Sequence, residues 1–216
     1  MELMGAAGST RHFLQIPPAP DALDRICQGA FLSRSDRGAL EIALVVDPSV
    51  ILALDSACLD RLERRYLRCY ARPSVYGFLR TITKAVNEDD KIQTRTALKA
   101  GTVFPGAPVL ALAIGDPRRP FAEASARQAL VNMALLAEAL GLGTCFADEA
   151  GALLDRDRQA RRVLCLHSPN KVIGILCLGH PGDVLPPDEG PRLTVRRIGT
   201  SPKAAAPHQF TIRRTS

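Results

Sequence analysis

The stretch Ala126-Arg-Gln-Ala-Leu-Val-Asn-Met-Ala-Leu-Leu-Ala-Glu-Ala-Leu140, followed by Gly141-Leu-Gly143, decides how this chain folds. Apolar residues at Ala126, Leu130, Met133, Ala134, Ala137 and Leu140 recur at helical spacing. Ala129, Leu135 and Leu136 widen the stripe until little of the surface is left for water. Such a helix belongs in the middle of a domain. Gly141 suits the left-handed residue that closes a helix, and Gly143, without a Cβ, lets the next segment come close to a strand or a ligand.

Working outward, Ala107-Pro-Val-Leu-Ala-Leu-Ala-Ile114 reads as a buried strand closed by Gly115-Asp-Pro117, and Val172 to Leu178 as another that runs into Gly179-His-Pro181. A third, Leu40-Glu-Ile-Ala-Leu-Val-Val46, is rich in β-formers and stops at Asp47-Pro48, a turn signal that also tends to start a helix. Helices are predicted over residues 21–30, with Asp21 as cap and Leu23, Ile26 and Cys27 inward, over 50–70, over 74–86 after Pro73, and over 149–161. Residues 87–91 read as a loop, 193–198 as a last strand, and the tail beyond 200 as an arm. Strands separated by helices imply an α+β or α/β fold with the sheet covered by helices.

With 216 residues, 46% hydrophobic and 23% charged, the chain has the size and composition of one globular domain with a substantial core. It contains no run of about 18 uncharged apolar residues, and its first residues lack the basic start and long hydrophobic stretch of a signal peptide, so a soluble cytoplasmic protein is expected. The six cysteines, Cys27, Cys58, Cys69, Cys145, Cys165 and Cys177, are scattered and mostly lie inside apolar patterns. They are expected to be buried free thiols, and neither a disulfide framework nor a metal site is expected. The net charge of +6 is carried by arginines, but no zinc-finger, basic-zipper or aromatic RNA-binding signature accompanies them. Nucleic acid is therefore not an expected partner, whereas an anionic small ligand needs only one or two of these arginines.

Three segments, in their order, resemble the flavin-dependent nitroreductase family. Gly8-Ser9-Thr10-Arg11-His12-Phe13, ahead of a proline-containing gap and a helix, is similar to the family's opening R-R-S-x-R-x-F motif. Ala107-Pro-Val and the long helix ending Ala-Leu-Gly-Leu-Gly-Thr-Cys-Phe146 resemble its "APV" strand and its A-x-x-L-G-L-G-x-x-W helix end. Ser168-Pro-Asn-Lys-Val-Ile-Gly-Ile-Leu-Cys-Leu-Gly-His-Pro181 resembles the strand that ends in G-Y-P. The resemblance implies a mixed central sheet flanked by helices, a three-layer α+β fold, assembled as an intertwined homodimer that binds FMN at the subunit interface. It further implies a single domain over residues 1–200 with a variable helical insertion at about 50–102, and a C-terminal arm over 201–216.

Carried over position by position, the resemblance implies phosphate contacts from the Ser9 hydroxyl and from Arg11 and Arg192, whose planar guanidinium forks suit phosphate oxygens. Ser33, Asp36 and Arg37 align with the turn under the flavin, and Thr144, Cys145 and Phe146 with the backbone beside it. Read without the family, Ser9 could cap a turn, Ser33 to Arg37 could be an ordinary loop, and Cys145 is a small buried hydrophobe. The chain departs from the pattern where Ala7 and Gly8 replace polar or basic residues, where the turn's Q-P-W is missing, and where Phe146 replaces tryptophan. Asp148 also stands near the glycine whose backbone meets the flavin edge in the family.

No side-chain nucleophile is required and no catalytic residue is assigned; His180, in its Gly-His-Pro turn, would need a partner within hydrogen-bond reach to act as a base. The expected function is FMN-dependent electron transfer from NAD(P)H to a small acceptor such as a nitroaromatic or quinone. The alternative is a divergent, non-catalytic homologue that keeps the dimeric scaffold as a ligand- or partner-binding protein.

Overall fold

Because both flanks of the long apolar helix are strands, its apolar face has a sheet to cover. The computed structural model describes residues 10, 12–31, 40–67, 97–182, 193–195 and 208–210. Strands β1 (Leu40–Val45), β2 (Val109–Gly115), β3 (Gly143–Phe146) and β4 (Lys171–Gly179) form one sheet in the order β1-β2-β4-β3. Every pairing among them is antiparallel. On one face lie α1 (Pro20–Gly29) and α3 (Ala122–Ala139), and on the other α2 (Pro48–Tyr66), α4 (Asp148–Asp155) and α5 (Arg158–Val163). The outcome is the helix-flanked α+β architecture that the family resemblance implied, and the described strands pair only antiparallel.

β2 explains why the core strands read as unbroken apolar runs. Leu110, Leu112 and Ile114 enter the cluster under α2, α4 and α5, while Val109, Ala111 and Ala113 enter the cluster under α1 and α3. With all seven residues buried, neither face of the strand meets water, so no polar alternation is needed. In β4 a register irregularity opposite Ala113 and Ile114 puts Val172 and Ile175 on the same face, beside Cys177.

α3 buries Ala126, Ala129, Leu130, Met133, Ala134 and Ala137. Full burial of Leu130 or Met133 is worth roughly 1.5–3 kcal/mol relative to exposure. The helix starts at Ala122, earlier than predicted, behind Phe121, which holds a left-handed φ of 61°. Leu140 is a correction: it is the C-cap and 38% exposed, because the chain has already turned away from the sheet. Gly141 closes the turn at φ 76°, as its lack of a Cβ suggested.

Other boundaries moved for identifiable reasons. α1 is not capped by Asp21; it begins at Pro20, whose fixed φ suits the first helical position, and Asp21 falls in the first turn. α2 opens at Pro48, and Asp47 accepts the Ser49 N–H at 2.8 Å. The predicted helix 149–161 is two helices, because Asp157 turns its carboxylate onto the N–H groups of Gln159 and Ala160 at 2.9 and 3.0 Å and starts α5. Residues 97–100 are helical, and the Asp55 carboxylate on α2 accepts the backbone N–H groups of Val103 and Phe104 just beyond them.

The tail carries a strand, β6 (His208–Phe210), paired antiparallel with β5 (Leu193–Val195). The predicted helix 74–86 and loop 87–91 lie outside the described residues. Among the described residues, no helix is long and apolar enough to cross a membrane.

Candidate functional site

Three backbone hydrogen bonds, one side-chain bond and one steric contact gather the quoted motifs at a single end of the sheet. The Thr10 N–H donates to the Thr144 carbonyl at 2.9 Å, the Leu14 N–H to the His180 carbonyl at 2.9 Å, and the Gly182 N–H to the His12 carbonyl at 2.9 Å. Phe13 and Pro181 form an antiparallel bridge between them. The Gln15 side-chain amide adds a bond to the Gly106 carbonyl at 2.7 Å, next to the Ala107-Pro108 start of β2. The opening segment is thus laid along the end of β4 and the free edge of β3.

Gly143 is what permits the approach. A Cβ there would stand 2.4 Å from Thr10 Oγ1 and 3.0 Å from Thr10 Cβ, so any side chain would expel the opening segment. The close approach inferred for Gly143 is therefore met by residue 10 of the same chain.

Thr144 is fully buried, and its polar groups are engaged by the protein: the hydroxyl donates to Glu138 Oε1 at 3.1 Å and the carbonyl accepts from Thr10. Its backbone N–H bonds the same Glu138 carboxylate. Burial raises the pKa of Glu138 above the ordinary carboxylate value, and the two bonds from Thr144 oppose that rise. Thr144 thus locks the end of α3 to β3 and to the opening segment.

Cys145 points to the opposite face, 6% exposed, and stands directly across from Cys177 in the β3–β4 register. Burial pushes the Cys177 thiol well above its ordinary value and the Cys58 thiol, in the same cluster, up to about 12. Thiols held protonated in this way behave as packing groups rather than nucleophiles. Cys165 departs from the expectation of buried thiols: it is exposed, on a turn with φ 51°. Phe146 is half-buried against the α1–α3 cluster, at the point where β3 ends and α4 begins. Among the described residues no side chain caps α4, and its first turn opens with the acids Asp148 and Glu149.

Of the residues singled out in the sequence, Thr144, Cys145 and Phe146 are brought together on β3. Ser9, Arg11, Ser33, Asp36, Arg37, Arg192 and Cys69 lie outside the described residues. Thr10 and Glu138 were not anticipated. Glu138 had a signal, being the one acid in the otherwise apolar run 133–140, whereas the role of Thr10 depends on a partner more than a hundred residues away. Among the described residues, no group of three or more His, Cys, Asp or Glu side chains is placed to hold a metal ion.

Solved structures share the fold. An FMN-bound nitroreductase from Bacteroides fragilis superposes with a TM-score of 0.69 at 18% identity, covering 92% of this chain and 97% of that one. An FMN-bound nitroreductase from Desulfitobacterium hafniense gives 0.65 at 20% identity, covering 86% and 90%. Oxidized iodotyrosine deiodinase, bound to FMN and 3-iodo-L-tyrosine, gives 0.65 at 19% identity, covering 91% and 97%. No curated protein matches the chain in sequence. The sequence pattern of the Nitroreductase family matches residues 8–180, a span that begins in the opening segment and ends at the His180 to which that segment is bonded, and the chain belongs to this family.

Proposed function

We propose that this protein is an FMN-dependent oxidoreductase that takes reducing equivalents from NAD(P)H and passes them to a small acceptor, such as a nitroaromatic, a quinone or a related compound. The observation that carries this reading is the docking of Thr10 and residues 12–15, the described part of the opening motif, along Thr144, His180 and Gly106. The end of β3 fits an electron-accepting ring, to which Phe146 offers a half-buried apolar edge. When bound, FMN supplies two-electron acceptance and donation.

In this reading Arg11, Ser9 and Arg192 bind the cofactor phosphate, and Ser33, Asp36 and Arg37 meet its polar side. The backbone of Cys145 and the edge of Phe146 flank the ring, while Thr144 holds the frame through Glu138 and Thr10. The working unit is a homodimer in a reducing cytoplasm, a setting that the free thiols among the described residues suit. Nitroreductase-type sites need no nucleophile, in keeping with buried cysteines that stay protonated.

The second reading, a non-catalytic homologue, is favoured by Ala7 and Gly8 ahead of Ser9 and by Gly38-Ala-Leu40 where the family turn carries Q-P-W. Flavin content separates the two. The purified protein should carry flavin absorbance and release FMN on denaturation, and Arg11→Ala should weaken FMN binding by the roughly 1.5–3 kcal/mol of a charge-assisted hydrogen bond. A colourless protein that stays colourless with added FMN would reject the enzyme reading.

A further inference from the structure

Flavin binding as proposed makes no use of the arginines of α5. Arg158 and Arg162, four residues apart and so on one face of the helix, line an open cavity of about 450 Å³ together with Arg161, Cys165, Leu166 and His167. That volume lies within the range of small-molecule pockets, roughly 300–1,000 Å³.

Arg161 builds the wall. Its guanidinium donates to the Leu166 and Asn170 carbonyls at 3.3 and 3.4 Å and lies 3.6 Å from Asp155. Arg158 and Arg162 are exposed, and among the described residues neither side chain has a hydrogen-bond or ion-pair partner. The carboxylates beside them are already engaged. Asp155 takes Arg161 and the Val172 N–H at 3.1 Å, and Asp157 takes Arg61 at 3.2 Å besides capping α5. The carbonyls at the end of α5 are also occupied, since the Arg161 and Arg162 carbonyls accept the Leu166 and Cys165 N–H groups at 2.8 and 3.1 Å. The cavity is therefore walled by cations, and among the described residues no acceptor is turned onto Arg158 or Arg162.

We propose that this cavity binds a small phosphorylated anion, with Arg158 and Arg162 as the forks that take its phosphate oxygens and His167 at the rim. Two guanidinium forks offer more donors than the two oxygens of a carboxylate can accept, and a phosphate group supplies three acceptor oxygens and nearly two charges. The site is separate from the flavin end of the sheet. Asn170, held by Arg161, precedes β4, whereas Phe146 pairs with Leu176 within it, and at about 3.3 Å per residue the strand puts roughly 20 Å between Asn170 and that point.

Cys165 provides the readout, because its thiol is exposed in the cavity wall while Cys58, Cys145 and Cys177 are buried. Labelling of Cys165 in the full-length protein by a neutral alkylating reagent, followed by peptide mass spectrometry, should slow as pyrophosphate is added. By mass action the rate should fall about threefold when pyrophosphate reaches twice its dissociation constant. The Arg158→Gln, Arg162→Gln double variant alters only exposed side chains and should lose that protection. A labelling rate that ignores pyrophosphate in the unaltered protein overturns the proposal, and so does protection that survives in the double variant. Protection by a single-stranded oligonucleotide but not by pyrophosphate would also overturn it, in favour of a nucleic-acid surface.

Discussion

A missing methyl group decides whether the candidate site is assembled. Gly143→Ala would press a Cβ against the side chain of Thr10, and overpacking of this kind costs roughly 1–3 kcal/mol. Loss of FMN affinity should accompany the loss of stability, because the segment displaced is the one that carries Ser9 and Arg11. Adding Thr10→Gly removes the clashing atoms and should restore both in paired denaturation and flavin titrations; failure of the rescue would show that Gly143 acts otherwise. Glu138 gives a second test at this scale. Its raised pKa means that the folded state favours the protonated acid, so its contribution is fully present below the ordinary value of 4.5 and is lost as the pH rises through the folded value. Glu138→Gln keeps an acceptor for the Thr144 hydroxyl without the buried charge, and should flatten that part of the stability profile in melts across pH. An unchanged slope would exclude Glu138 as its source. The sequence exposed the acid as the odd residue in an apolar run, but not its partner, because hydrogen bonding between α3 and β3 exists only once both are packed.

Among the elements, α5 shows how a single side chain splits what periodicity joins. The apolar residues of 149–161 are compatible with one helix, yet Asp157 is better satisfied as a cap and as the partner of Arg61. The bonds to Ala160, Gln159 and Arg61 hold its carboxyl below the usual carboxylate value, so this contribution is present near neutrality and is lost as the pH falls through the folded pKa. Asp157→Ala should cost roughly 0.5–2 kcal/mol, the range for a lost N-cap, measured by chemical denaturation at neutral pH. A variant as stable as the parent would mean that α4 and α5 merge into one helix at no cost. The strands β2 and β4 were legible because burial on both faces leaves an apolar run with sharp turn residues at its ends, and α3 because its apolar stripe recurs at helical spacing. Asp157 was not, since an acid within a charged helix reads equally well as a solvated face.

Taken as a whole, the molecule leaves large apolar side chains in solvent: Phe121 is 80% exposed, Leu52 69% and Ile16 59%. These side chains are scattered over both layers and specify no partner, so the proposed homodimer is tested directly: sedimentation equilibrium at micromolar concentration should return twice the chain mass. A monomer under those conditions would remove the homodimer from the proposed function. By itself, the sequence determined the apolar helix over 126–140, the strands that flank it, the closing Gly141, and the three segments that carry the family resemblance. Those features are local, since spacing, turn chemistry and the conformational freedom of glycine are properties of neighbouring residues. Only the tertiary structure decided that the opening segment lies along Thr144 and His180, that Thr144 is engaged by Glu138, that Cys165 is exposed while Cys145 faces Cys177, and that Arg158 and Arg162 wall a cavity. Each of these depends on residues far apart in the chain or on which side chains other charges have already engaged, and neither is written in the spacing of a linear sequence.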